Sequence, residues 1–167
     1  MRSALRCGAV TFLSAAVWLL LPNLATAQAE DQFFNSNGVN IRYIIAGTGE
    51  PVILVHGFAG NLDVWESLIA DLSKDHEAIA FDCRGHGKSD KPHEPEQYGI
   101  EMVNDITRLM DHLQISKAHI VGYSMGGAIV MKTLVEHPDR FLTAVVGANR
   151  GFHAEDLKII HLTKVSQ

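Results

Sequence analysis

Val121-Gly122-Tyr123-Ser124-Met125-Gly126-Gly127 decides how the rest of this chain is read. It follows an apolar run from Ala118 that has the length and character of a short buried strand. It leads into Ala128-Ile129-Val130-Met131-Lys132-Thr133-Leu134, which reads as a helix. A serine between two glycines at a strand-to-helix turn has a physical signature. The turn is tight enough that a side chain at Gly122 or Gly126 would strike neighbouring backbone, and Ser124 takes a strained conformation. Strain exposes the hydroxyl at a helix N-terminus, where developing negative charge is favoured.

Working outward, strands and helices alternate from Gln32 onward. Phe33-Phe34 and Val39 to Ile45 read as two strands joined at Asn35-Ser36-Asn37-Gly38, a hairpin turn. Pro51 to Val55 is apolar throughout, as a strand buried on both faces of a parallel sheet requires. Leu62, Trp65, Leu68, Ile69 and Leu72 recur at helical spacing, with Asp63 and Glu66 as a capping arrangement. His76 to Phe81 is a strand, and Ile100, Val103, Ile106, Leu109, Met110 and Leu113 trace one face of a long helix. The helix after Ser124 ends near His137-Pro138. Phe141 to Val146 is the last strand expected, and the tail is weakly helical around Leu157 to Leu162. This order predicts an α/β fold: a mostly parallel sheet, helices on both faces and an antiparallel first hairpin.

The chain has 167 residues, 47% hydrophobic and 20% charged, which suits one globular domain and argues against disorder. Its net charge is -5 with no basic stripe, so no nucleic-acid partner is expected. Arg2 and Arg6, the apolar run Ala9 to Leu21, Pro22-Asn23 and Ala25-Thr26-Ala27 have the order of a secretory signal peptide. Residues 1–27 are therefore expected to be removed, with cleavage after Ala29 as a variant and an uncleaved anchor helix as the alternative. A secreted or periplasmic protein without stable membrane association follows from cleavage. Cys83 is then the one mature cysteine, which excludes an intrachain disulfide, and it reads as a small buried hydrophobe.

Two further motifs carry chemistry. His56-Gly57-Phe58-Ala59 directly follows the buried strand, where α/β proteins place their sites. The N–H of Phe58 can join that of Met125 as an oxyanion hole, with His56 and Gly57 shaping the loop. Asp82-Cys83-Arg84-Gly85-His86-Gly87-Lys88-Ser89 follows the next strand and reads as a sharply folded scaffold loop, with Asp82 and Arg84 as an ion pair. Gly87-Lys88-Ser89 lacks the four-residue spacer of a phosphate loop. The histidines show no metal-ligand spacing, and His112 and His119 read as solvated. Asp139 is expected to cap or to pair with Arg140, with His137 at a helix C-terminus.

His56-Gly57-Phe58, then Asp82-x-Arg84-Gly85-x-Gly87-x-Ser89, then Gly122-x-Ser124-x-Gly126-Gly127, in this order, resembles the α/β-hydrolase superfamily. The likeness is to its esterase, lactonase, peroxidase-like and aminopeptidase branch and covers about residues 32–151, with 152–167 left as a tail. It implies Ser124 as nucleophile, Phe58 and Met125 as oxyanion donors, a small-molecule acyl substrate and no cofactor or metal. A serine at the elbow departs from that family's epoxide hydrolases and haloalkane dehalogenases, which place an aspartate there.

Family members order their triad Ser, then Asp or Glu, then His. The resemblance therefore places the acid and the base beyond Gln167, along with the lid and two more strands. Without a base, Ser124 is a weak nucleophile and labels poorly with active-site probes. His153, Asp156 and His161 follow the serine. Asp156 and His161 would diverge by about 140° on a helix, and nothing delivers a His153–Asp156 pair to Ser124. They read as surface residues of the tail. The competing reading is a complete non-catalytic binding module, in which the sheet edge at Phe141 to Val146 is open to self-association. A cofactor-free haloperoxidase or C–C hydrolase is the alternative within enzymes.

Overall fold

Four apolar residues in a row can only sit where both faces are covered, and Val52-Ile53-Leu54-Val55 does. A computed structural model of the protein describes residues 30–147 and, as backbone, 157–161. There β3 (Glu50–Val55) lies at the centre of a seven-stranded sheet ordered β1-β2-β4-β3-β5-β6-β7. The others are β1 (Gln32–Ser36), β2 (Val39–Ala46), β4 (His76–Phe81), β5 (Ala118–Tyr123), β6 (Phe141–Gly147) and β7 (Leu157–His161). β4, β3, β5 and β6 run parallel, whereas β1, β2 and β7 are joined antiparallel.

Alternation along β3 sends its side chains into two separate layers. Ile53 and Val55 pack with Ile106, Leu109 and Met110 of α2 (Ile100–His112) and with Ile129 and Val130 of α3 (Met125–Glu136). Val52 and Leu54 pack with Leu62, Trp65 and Ile69, the last on α1 (Glu66–Leu72). The expected α/β architecture, with helices on both faces, is thus the one observed.

Three local expectations change. The first strand runs on to Ser36, because the ladder continues to the Ser36–Val39 pair and leaves Asn37-Gly38 as a two-residue turn. Asn37 at φ 53° and Gly38 at φ 87° give the left-handed pair that matches strand twist. The cap of the segment after β3 is Asn61, not Asp63. Its side chain accepts from the Asp63 N–H at 2.8 Å and starts a 3-10 turn, Leu62–Trp65, ahead of α1.

The third change is in the tail. Leu157–His161 is a strand rather than a helix, paired with β6 from Gly147–Leu157 to Thr143–His161. A five-residue helix closes too few hydrogen bonds to repay its nucleation, whereas the open edge of β6 offers a full ladder. The edge expected to be open at Phe141 to Val146 is therefore covered. Residues 1–27, with the signal-peptide reading, lie outside the described residues, as do His153 and Asp156. Among the described residues, no helix is long and apolar enough to cross a membrane.

Candidate active site

Ser124 sits between β5 and α3 at φ 52° and ψ -114°, a left-handed conformation that costs a non-glycine residue of order 1–3 kcal/mol. Neighbouring backbone holds it there. Its N–H donates to the Gly147 carbonyl on β6 at 2.8 Å, and its carbonyl accepts from the Ala128 N–H at 3.1 Å. The side chain is exposed and does not cap α3. The two glycines do what the sequence demanded. A Cβ on Gly122 would lie 2.5 Å from the Gly126 carbonyl oxygen, and one on Gly126 would lie 2.1 Å from that of Val55. The elbow is thereby pressed onto the end of β3.

The loop leaving β3 runs beside the serine. A Cβ on Gly57 would be 3.3 Å from Ser124 Cβ. Phe58 follows with its ring 79% exposed and set edge-on to the ring of His86, with centroids 5.8 Å apart. No backbone hydrogen bond among the described residues engages the N–H of Phe58 or of Met125. Met125 opens α3, where N–H groups have no partner within the helix.

His56 fixes that loop. It is fully buried, its Nε2 accepts from the Cys83 N–H at 3.0 Å, and its Nδ1 donates to the Gly57 carbonyl at 2.8 Å. Both bonds together require the neutral Nδ1–H tautomer. Burial holds the ring's pKa below the ordinary histidine value, against the opposing Gly57 hydrogen bond. The sign of the resulting pH effect follows. Above about pH 6.5 folded and unfolded chains both carry a neutral ring. As pH falls below that value, the unfolded chain takes up a proton that the folded ring refuses, and stability declines. We expect the His56 Cε1–H resonance to titrate with a midpoint below that of an ordinary histidine, and the urea midpoint to be lower at pH 5.5 than at 7.5. Titration with an ordinary midpoint would contradict the locked tautomer.

In the scaffold loop after β4, Asp82, Cys83, Arg84 and Ser89 are buried, but the ion pairs differ from the one expected. Asp82 and Arg84 do not pair with each other. Asp82, at the end of β4, accepts from the Leu62 N–H and the Lys88 N–H at 2.7 Å each and from Arg42 on β2 at 3.3 Å. Arg84 lies past the turn and places its fork on both oxygens of Asp105 at 2.6 Å. One carboxylate thus gathers three segments, while the guanidinium takes the bidentate partner its geometry fits. Sequence reading missed Arg42 and Asp105. The available signal was a lone aspartate beside the apolar stripe of α2. Cys83 is buried as expected, and burial raises its thiol pKa far out of the nucleophilic range.

His112 is exposed, as expected, with one face stacked on Phe34 at a centroid distance of 5.4 Å and Nε2 3.2 Å from the Tyr43 hydroxyl. Other readings are corrected more simply. His119 bridges Thr143 at 2.7 Å and Glu50 at 3.1 Å. Arg140 pairs with Asp111 at 2.7 Å, not with Asp139. His161 lies on β7 opposite Thr143, whereas the Ser124 end of the sheet is marked by the Tyr123–Gly147 pair. Among the described residues, no hydrogen bond joins the Ser124 hydroxyl to an imidazole or carboxylate, and no group of three His, Cys, Asp or Glu could hold a metal.

Known proteins share this fold. The chain is 35% identical over 127 residues to a dihydrolipoyllysine-residue acetyltransferase component of an acetoin cleaving system from Cupriavidus necator, covering 75% of this chain and 34% of that protein. It is 34% identical over 120 residues to epoxide hydrolase 3 of Siraitia grosvenorii, covering 71% and 38%. Among solved structures, Est816, an N-acyl homoserine lactone degrading enzyme, superposes with a TM-score of 0.67 at 32% identity over 70% of this chain and 45% of that one. The chain thus spans about a third to two fifths of the curated relatives' length. Residues 50–163 match the family model described as the alpha/beta hydrolase fold, which takes in the serine turn, the loop after β3 and the loop after β4. The chain belongs to the alpha/beta hydrolase fold family.

Proposed function

We propose that this chain is the nucleophile-bearing part of an exported serine hydrolase that cleaves an ester, lactone, thioester or amide by acyl transfer. One observation carries the reading: Ser124 is exposed on a strained turn beside two unengaged N–H groups, those of Phe58 and Met125. In the reaction, Ser124 Oγ gives its proton to a base and bonds to the substrate carbonyl carbon. The carbonyl oxygen takes the electron pair and is stabilised by the two N–H donors. Collapse expels the leaving group, which takes the proton, and water then releases the acyl group. The base is a histidine oriented by a carboxylate, neither of them among the described residues. Export rests on the signal-like residues 1–27.

The lactone-degrading relative supports the ester and lactone arm. The epoxide hydrolase relatives do not transfer as easily, for a chemical reason. A serine that opened an epoxide would be left as an ether, which water does not cleave, whereas a carboxylate is left as a hydrolysable ester.

The test is covalent labelling. A fluorophosphonate is expected to add its phosphonyl mass at Ser124, slowly while no base is in reach, and to leave the Ser124→Ala protein unlabelled. Equal labelling of the two proteins would remove Ser124 as the nucleophile.

A further inference from the structure

The hairpin tip between β1 and β2 holds the single Asn-Gly pair of the chain, Asn37-Gly38. Both residues are exposed, and a Cβ on Gly38 would find nothing within 4 Å, so water reaches the turn freely. A glycine after an asparagine leaves its own backbone nitrogen unshielded, and that nitrogen can close a cyclic imide on the asparagine carboxamide. The other described asparagines differ. Asn35, Asn40, Asn61 and Asn104 each precede a buried residue: Ser36, Ile41, Leu62 and Asp105. One contact at the tip bears directly on the nitrogen. The Gly38 N–H donates to the Asn35 side-chain oxygen at 2.9 Å.

We propose that Asn37 is a site of spontaneous modification to aspartate and isoaspartate, and that Asn35 is its gate. In the first step the Gly38 nitrogen loses its proton to solvent and bonds to Asn37 Cγ. The bond from Cγ to the side-chain nitrogen breaks, and ammonia leaves with a proton taken back from solvent. Water then opens the imide at either carbonyl, which gives the two products. The attacking species is the nitrogen without its proton. An N–H held in a hydrogen bond gives up its proton less readily, as it does in hydrogen exchange, so the Asn35 oxygen slows ring closure. The isoaspartate product lengthens the main chain by a methylene. The turn has no room for it, because the Ser36–Val39 pair fixes the register on either side. Ser36 is fully buried, and its hydroxyl donates to Asp105, which holds Arg84. Modification at the tip thus reaches the buried charges behind the loop after β4.

The full chain, Asn35→Ala and Asn35→Asp would be incubated in the folded state at mildly alkaline pH, with conversion at each asparagine followed by peptide mapping. Asn35 is exposed, so both substitutions leave the core untouched. Wild type is expected to convert at Asn37 ahead of every other described asparagine. Asn35→Ala should convert there about fivefold faster, the factor that one net hydrogen bond represents. Asn35→Asp keeps an acceptor for the Gly38 N–H and should convert no faster than wild type. The isoaspartate fraction of aged protein should unfold at lower urea than the aspartate fraction. Earlier conversion at another described asparagine overturns the site, and so does no conversion at Asn37 in folded Asn35→Ala while the urea-unfolded chain converts. Equal rates in wild type and Asn35→Ala overturn the gate. Equal urea midpoints for the two product fractions overturn the link through Ser36.

Discussion

Asp105→Ala is expected to cost about 3–5 kcal/mol of folding stability, measured by urea unfolding. The loss is large because of what remains. Arg84 is fully buried, and its fork currently rests on both Asp105 oxygens at 2.6 Å each. Removing the carboxylate leaves a buried guanidinium with the Gln97 carbonyl at 2.6 Å, the Gln97 side-chain oxygen at 3.4 Å and Glu101 at 3.9 Å. Ser36 also loses the acceptor of its hydroxyl, which donates to Asp105 at 2.5 Å. The pair itself contributes less than this figure, because bringing both charges out of water is costly. The double variant Arg84→Met/Asp105→Leu should therefore recover most of the stability. A double variant no better than Asp105→Ala would mean that the pair is intrinsically stabilising. In either case the loop after β4 would be displaced from α2, and His56, which accepts from the Cys83 N–H next to Arg84, would report it by NMR.

Gly126→Ala is expected to destabilise by at least about 3 kcal/mol, at the upper end of what overpacking does, and to abolish fluorophosphonate labelling of Ser124. The added methyl would lie 2.1 Å from the Val55 carbonyl oxygen and 2.6 Å from that of His56. Both obstacles are backbone at the end of the central strand, so neither can rotate aside. Relief requires α3 to lift away from β3, which carries Met125 and its N–H away from Phe58. Gly38→Ala is the control. Gly38 is left-handed at φ +87° with nothing within 4 Å of a new Cβ, so only conformational strain of about 1–2 kcal/mol is expected. Comparable losses at the two positions would mean that the elbow has room the structure does not show.

These two cases divide what could be read from the chain. Gly126 was legible, because a glycine two residues after a serine at a strand–helix junction has one geometric use. The central strand was legible too, since Val52 to Val55 contains no residue that could face water. The partners of Asp82 and Arg84 were not. They lie two positions apart in sequence, and only the fold shows that one looks toward Arg42 on β2 and the other toward Asp105 on α2. His119 was misread for the same reason, its neighbours Thr143 and Glu50 lying on other strands. The tail was misread because a five-residue segment with three apolar side chains suits helix and strand alike, and a waiting edge decides between them.

By itself, then, the sequence determined the α/β order, the serine turn and the loop that flanks it. Periodicity and glycine sterics are local, so they are written in neighbouring residues. The tertiary structure decided which buried charges meet and that β7 closes the edge of β6. Each of those depends on surfaces contributed by distant segments, and no window of the chain contains them.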